Sequence, residues 1–180
     1  MSAPKPRFNL FTLTALALVG IGLWQAYSPL LQDKDAIVAL TASTVELSGN
    51  DAVAKVRERT GKPTLVYLYA SWCDACRVMT PTLASLIRNR RLEDFRLIFI
   101  AYEQSGYRLA THLNRKQYDG LWTPYFIKGG PAPELQQLTD IDIRGIPLFL
   151  AFDAKGKLRT SKQGVLHAEE LDAIITELRP

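Results

Sequence analysis

The pattern of hydrophobic and polar positions divides the chain into an apolar N-terminal stretch and a longer region of mixed character. No charged residue occurs from Phe8 to Leu31, and Lys5 and Arg7 lie just before that stretch. A helix of about 20 residues from Phe8 would be roughly 30 Å long, which matches the hydrocarbon core of a bilayer. The pattern therefore predicts a cytoplasmic segment over residues 1–7, a signal anchor that crosses the membrane over 8–28, and a linker over 29–42.

The alternative interpretation of this stretch is a secretory signal that is cleaved. Ala26 and Ser28 supply the small residues that a signal peptidase needs, but Pro29 would then follow the scissile bond. We therefore favour the uncleaved anchor. Positive charge before the span holds the N-terminus in the cytoplasm, so we expect a single-pass protein of a bacterial inner membrane with its main domain in the periplasm. Cleavage would instead leave a soluble periplasmic domain.

Beyond the linker, apolar runs alternate with amphipathic segments. Thr64–Tyr69 and Leu97–Tyr102 are nearly continuous apolar runs, typical of strands buried on both faces. Leu148–Phe152 and Leu158–Lys162 flank an Asp-Ala-Lys-Gly turn and predict a hairpin. This order predicts an α/β domain over residues 43–180, with a mixed sheet and helices on both faces. The other predicted elements are a short strand at 43–47, a helix from an Asn50 cap to Arg59, helices over 73–90, 106–118, 134–138 and 167–178, and a loop over 120–133.

Composition and charge exclude several classes of function. Lys and Arg number 22 against 18 Asp and Glu, for a net charge of +4, and two of these cations precede the apolar stretch. A protein that binds nucleic acid through its phosphates normally shows a larger basic excess, so we expect no nucleic-acid partner. The two cysteines, Cys73 and Cys76, are too few for a disulfide scaffold or a four-cysteine zinc site.

The candidate chemistry lies in the segment Trp72-Cys73-Asp74-Ala75-Cys76, which follows the first buried strand. Cys73 should therefore occupy the N-terminus of the next helix, where free N–H groups and the helix dipole stabilise a thiolate. The two-residue spacer lets Cys76 reach Cys73 across the first turn. Cys73 can then attack a substrate disulfide, and the more buried Cys76 can resolve the mixed disulfide.

Three features in the same order resemble the thioredoxin family. A strand runs into Trp-Cys-x-x-Cys, Pro81 follows the second cysteine by five residues, and the Ile146–Pro147 pair precedes an apolar strand. The resemblance implies a thioredoxin fold over most of residues 60–180 and a thiol–disulfide oxidoreductase that acts on protein disulfides without an organic cofactor. It also implies a cis Ile146–Pro147 bond beside Cys73, with both residues shaping the substrate strand, and Trp72 packed beside the site.

The sequence departs from the family's pattern at one functional position. The family usually places a buried carboxylate six residues before the first cysteine, as proton acceptor for the second, and Tyr67 stands there. Glu103 follows a strand whose end should approach the same site, so it is our candidate for a substitute proton relay. The alternative is a solvated Glu at a strand end.

The spacer bears on the direction of exchange. Asp74 places negative charge beside Cys73 and opposes its ionisation, whereas Arg77 and the helix dipole favour it. A less stable thiolate lowers the reduction potential, so we expect a reductase supplied by a transmembrane electron donor. The alternative is that Asp74 faces water and has little effect.

The stretch from Tyr102 to Pro147 is longer than in a minimal thioredoxin and is rich in aromatic residues. Bacterial membrane-anchored thioredoxin-like proteins, which this chain resembles in plan, also carry an insertion here. The aromatic segment is either a docking surface for a partner or a small additional core.

The sequence is also compatible with two other functions. One is a thioredoxin-like copper chaperone that uses both cysteines and a histidine, although His112 and His167 are far from the cysteines in sequence. The other is a binding module in which the Cys73–Cys76 bridge is only structural. Neither is favoured, and no resident metal is expected.

Overall fold

The computed structural model describes residues 20–24, 44–130 and 132–179. Residues 20–24 are helical and exposed. The expected cytoplasmic segment, most of the expected membrane span and the expected linker lie outside the described residues. Within the described residues, no helix has both the length and the apolar character that are needed to cross a bilayer.

Within residues 44–130 and 132–179, six strands form one mixed sheet. They are β1 (Val45–Glu46), β2 (Thr64–Tyr69), β3 (Arg96–Glu103), β4 (Tyr125–Lys128), β5 (Leu148–Phe152) and β6 (Leu158–Gln163). Their order across the sheet is β1-β4-β3-β2-β5-β6, with the first four parallel and the last two antiparallel to their neighbours. Every residue of β2 is buried, which requires helices or loops on both faces of the sheet.

The helices are α1 (Gly49–Arg57), α2 (Asp74–Arg88), α3 (Gly106–Arg115), α4 (Ala168–Leu178) and a short 3-10 helix at Pro133–Leu138. The β2-α2-β3 and β3-α3-β4 units move the chain in the same direction across the sheet. Because such crossovers are right-handed, α2 and α3 lie side by side on one face, and α1 lies on the other. The guanidinium of Arg88, at the end of α2, donates to the carbonyl of Gln117, just after α3.

The thioredoxin-like α/β fold expected from the sequence is confirmed, and most of its elements lie where the pattern predicts them. Two details were wrong. The cap of α1 is Ser48 rather than Asn50: the Ser48 hydroxyl accepts the Asp51 N–H over 3.1 Å, and the Asp51 carboxylate accepts the Ser48 N–H over 3.3 Å. This reciprocal pair satisfies two free backbone donors. The predicted loop over 120–133 contains β4, which pairs with β3 and β1.

The stretch between β3 and the cis-proline loop comprises α3, β4 and the 3-10 helix. Its aromatic residues Tyr118, Trp122 and Phe126 are buried, and the Trp122 ring lies 4.7 Å from the Phe99 ring, centroid to centroid. These three side chains therefore extend the core, and the docking alternative is wrong for them. Tyr107, at the start of α3, is 58% exposed.

Candidate active site

Cys73 and Cys76 lie where the carboxyl ends of β2 and β3 meet, at the start of α2. Cys73 is the N-cap of that helix, and its Sγ accepts the backbone N–H of Cys76 over 3.1 Å. The two sulfurs form a disulfide. Cys73 is 7% exposed and Cys76 is 1% exposed, so an incoming group reaches Cys73 first.

The loop before β5 lies directly against this disulfide. The Ile146–Pro147 bond is cis, as the resemblance implies, and the carbonyl oxygen of Ile146 lies 3.8 Å from the Cys73 sulfur. The carbonyl of Pro147 accepts the N–H of Gly164 over 2.8 Å. The loop is thus held by the strand behind it, and Ile146, which is only half-buried, borders the approach to Cys73.

Trp72 directly precedes Cys73 in the chain. Its side chain is 58% exposed, yet its indole N–H donates to the carbonyl of Tyr102 over 3.2 Å. The hydrogen bond fixes the ring while its apolar surface stays open to solvent. Such an arrangement suits contact with a polypeptide substrate.

Glu103 is buried, so the solvated alternative for this residue is wrong. It is 1% exposed, and its Oε1 accepts the backbone N–H of Ser71 over 2.7 Å. Its Oε2 has no hydrogen-bond partner within the part of the chain that the structure describes. Glu103 therefore supports the loop that leads into Cys73 and keeps one buried oxygen available.

Tyr67 stands at the position where the family usually has an acid. It belongs to a network of hydrogen bonds between uncharged groups. Its hydroxyl lies 3.0 Å from the Thr80 hydroxyl, which itself donates to the carbonyl of Cys76 over 2.7 Å. Burial raises the pKa of Tyr67 well above its usual value. A phenol with so high a pKa holds its proton at neutral pH and cannot serve as the acceptor for Cys76.

His112 lies near Cys76, although it is far from the cysteines in sequence and the sequence suggested it only as a copper ligand. It and Cys76 line the same cavity of about 50 Å³ between α2 and α3, together with Thr80, a volume that can hold water. His112 also lines an open groove at the surface. Burial lowers the pKa of His112 below 6.5, and the nearby Glu103 carboxyl opposes that shift. The sequence could have indicated this proximity, because right-handed crossovers place α3 next to α2 on the same face of the sheet.

Asp74 and Arg77 form an ion pair at 2.9 Å on the outer side of the first turn of α2. The Asp74 side chain is 89% exposed and the Arg77 side chain 58% exposed. Solvent screens charges this exposed, and such pairs contribute little. The structure thus favours the alternative in which Asp74 faces water.

No group of three or more His, Cys, Asp or Glu side chains in residues 20–24, 44–130 and 132–179 is arranged to hold a metal ion.

The domain is similar to proteins of known structure and to one family model. A family model described as a thioredoxin-like domain matches residues 50–179. A thiol:disulfide interchange protein of the thioredoxin family from Chlorobium tepidum aligns with a TM-score of 0.54 and 21% identity, covering 69% of this chain and 83% of that chain. DsbE from the same organism, a thiol:disulfide interchange protein, aligns with a TM-score of 0.55 and 20% identity. The alignment covers 70% of this chain and 84% of that chain.

StoA from Bacillus subtilis aligns with a TM-score of 0.50 and 20% identity, covering 63% of this chain and 82% of that chain. At these identities the likeness establishes the fold.

No curated protein sequence matches the chain. The match to the family model spans almost the whole described domain, including both cysteines, α2 and the cis-proline loop. The chain therefore belongs to the thioredoxin-like family and carries, in Cys73 and Cys76, the dithiol of a thiol–disulfide oxidoreductase.

Proposed function

We propose that this protein reduces disulfide bonds in client proteins, with Cys73 as the nucleophile and Cys76 as the resolving thiol. The observation that carries the proposal is the position of the Cys73 sulfur. It lies at a helix start, accepts the Cys76 N–H over 3.1 Å and lies 3.8 Å from the Ile146 carbonyl. A sulfur held by a backbone donor at the positive end of a helix is stabilised as a thiolate.

The first step is attack of the Cys73 thiolate on one sulfur of the client disulfide. The Cys73–client bond forms, the client S–S bond breaks, and the second client sulfur leaves as a thiolate. Trp72 and the backbone at Ile146 and Pro147 border the approach, so they are the proposed contacts for the client strand. Extended backbone beside Cys73 would present one client sulfur to it.

The second step releases the client. Cys76 loses its proton and attacks the Cys73 sulfur, so the Cys73–Cys76 bond forms and the mixed disulfide breaks. Two electrons have then passed from the protein's dithiol to the client, whose two sulfurs take up protons.

Release of the Cys76 proton needs an acceptor inside the domain, because Cys76 is buried. We assign this role to His112, reached through water in the cavity that both residues line. Glu103 lies close enough to influence His112 electrostatically, and its buried carboxyl stabilises the imidazolium that forms. In this scheme Glu103 keeps the relay role expected from the sequence but acts through His112.

Reduction of clients also needs a source of electrons. Each cycle leaves the Cys73–Cys76 disulfide, which a second dithiol must reduce. We propose a transmembrane dithiol protein as that donor and an N-terminal membrane anchor that keeps the domain in the periplasm near it. The support is the uncharged stretch from Phe8 to Leu31 and the cations before it. Separation of membranes before and after an alkaline wash tests the anchor: an anchored protein stays with the membrane.

Reduction of insulin by dithiothreitol tests the activity itself. The protein should accelerate the appearance of turbidity, and Cys73→Ser should abolish the acceleration. Persistence of the acceleration in both Cys73→Ser and Cys76→Ser would rule out the mechanism. No acceleration by the unmodified protein would favour a binding module with a structural bridge. The reduction potential of the Cys73–Cys76 pair shows whether the protein reduces or oxidises its clients. A value near ~−120 mV is typical of a strong oxidant and would exclude a reductase.

A further inference from the structure

An open groove of about 450 Å³ lies between α3 and the segment that carries the redox disulfide. One wall is Ser71, two residues before Cys73, and Arg77 contributes from the first turn of α2. The opposite wall is α3 and the residue after it. The groove therefore lies next to the point where a client disulfide must bind.

The polar face of α3 forms that opposite wall. Arg108, His112 and Arg115 follow one another at intervals of four and three residues, which places them on one side of a helix. Leu109 and Leu113 lie on the other side and are buried in the core. Packing of the apolar face thus fixes the cationic face toward the groove.

The groove is lined by cations without neutralising acids. Its lining includes Arg77, Arg108, Arg115 and Lys116, and no Asp or Glu. Arg77 pairs with Asp74. Arg108, Arg115 and Lys116 form no ion pair with any residue of the described part of the chain, and all three are exposed.

Helix electrostatics account for only some of these cations. Arg115 and Lys116 lie at the C-terminal end of α3, where positive charge complements the dipole. Arg108 lies in the first turn, which has no acidic residue, and a cation there opposes the dipole. A role in binding negative charge explains why a cation stands at this unfavourable position.

Exposed aromatic surface adjoins the same groove. Tyr107 lines the groove and is 58% exposed. Trp72, which precedes Cys73 in the chain, is also 58% exposed. Aromatic side chains beside cations are typical of surfaces that bind polypeptides. The combination indicates a protein ligand with both acidic and apolar side chains.

We propose that this groove binds an acidic segment of the client polypeptide, adjacent in the client to the disulfide that Cys73 attacks. The inference rests on the proposed function, because it concerns the choice of client by the same site. Complementary charge increases the rate of encounter and orients the partner. Clients with Asp or Glu near the reactive cysteine are therefore reduced faster than neutral ones.

Two matched disulfide peptides test the groove. They share one cysteine context, and one carries three Glu residues where the other carries three Gln. At about 0.02 M salt we expect kcat/KM to be about tenfold higher for the acidic peptide. The ratio should fall toward one at about 0.5 M salt, where exposed charges are screened.

A groove variant and a matched control locate the effect. The groove variant combines Arg108→Gln, Arg115→Gln and Lys116→Gln, which keep good helix formers at exposed positions. The control removes three exposed cations at the other end of β2 and in the hairpin turn, with Arg59→Gln, Lys62→Gln and Lys155→Gln. The acidic-to-neutral ratio should fall to about one in the groove variant and stay about tenfold in the control.

The outcomes separate this inference from the proposed function. Equal turnover of both peptides by the unmodified protein would overturn the groove inference and leave the reductase intact. No turnover of either peptide would instead count against the reductase. Loss of the ratio in both triple variants would show that only the net charge of the protein matters, and it would overturn the groove inference. Groove-dependent binding to vesicles of anionic lipid, without a peptide preference, would reassign the groove to a membrane surface and overturn the inference.

Discussion

The carboxyl of Glu103 accepts the backbone N–H of Ser71 over 2.7 Å, and this contact joins the end of β3 to the loop that leads into Cys73. A second contact runs in parallel, from the indole N–H of Trp72 to the carbonyl of Tyr102 over 3.2 Å. The two hydrogen bonds hold both residues that precede Cys73. The position of the reactive sulfur therefore depends on β3 as well as on the helix that it caps.

Glu103→Ala should destabilise the domain and weaken the site. It removes the acceptor for the Ser71 N–H from a buried position, which should lower the free energy of unfolding by about 1–3 kcal/mol. Urea unfolding measures this loss. Glu46→Ala, at an exposed position in β1, serves as the control and should change stability by less than about 0.5 kcal/mol. Equal stability of the two variants would show that the buried contact contributes nothing.

Tyr67→Phe should affect stability and leave the redox chemistry almost unchanged. The variant loses the hydrogen bond to Thr80, which should cost about 0.5–1.5 kcal/mol. The Thr80 hydroxyl still donates to the Cys76 carbonyl, so the backbone at the second cysteine keeps its partner. Stopped-flow reduction of a peptide disulfide gives the rate. A rate loss of about tenfold or more would show that the Tyr67 phenol takes part in proton transfer.

His112→Asn should slow release of the client and remove one inflection from its pH profile. Because burial lowers the pKa of His112 below 6.5, the imidazole is neutral at pH 7 and can accept the Cys76 proton. As the pH falls through that lowered pKa, the imidazole becomes protonated and the rate of the second step should fall. The variant should be slower at pH 7 by about tenfold or more and should lack this inflection.

His167→Asn is the matched control, because Asn suits the N-cap position that His167 occupies before α4. Single-turnover decay of the mixed disulfide, followed from pH 5 to 8, measures the second step alone. An unchanged inflection in His112→Asn would exclude His112 from the relay, even if the rate were lower. A purely structural role would reduce the rate without moving the profile.

Asp74→Asn should raise the reduction potential only slightly. Removing a negative charge near Cys73 favours the thiolate and so stabilises the reduced form. Exposed pairs contribute about 0–1 kcal/mol, and about 30 mV corresponds to 1.4 kcal/mol, so the rise should be below about 20 mV. Asp172→Asn, which breaks the exposed pair with Arg91, controls for net charge. A rise of about 60 mV or more would show that Asp74 sets the potential directly.

The sequence predicted the central strands and the redox motif because both have local signals. Continuous apolar runs mark β2 and β3, and the turn sequence marks the β5–β6 hairpin. The four residues of β4 gave no such signal, since Gly120, Pro124 and the Gly129–Gly130 pair surround them. Their extended form comes from pairing with β3 and β1, which is tertiary information.

The remainder of the site was hidden because it depends on distances across the fold. Asp74 is next to Cys73 in sequence but points into solvent. His112 is 36 positions beyond Cys76 in the sequence yet lines the same cavity. Glu103 was placed near the site by the rule that parallel strands end at one edge, but its burial and its contact with Ser71 required the packed structure.

The measurement that tests the central claim most directly is covalent trapping of a client. Cys76→Ser, reduced and mixed with a disulfide peptide, should form a stable mixed disulfide through Cys73, seen as added mass that dithiothreitol removes. Cys73→Ser under the same conditions should form little or none, because the remaining thiol is buried. Equal trapping by both variants, or none by Cys76→Ser, would contradict the assignment of Cys73 as nucleophile and Cys76 as resolving thiol.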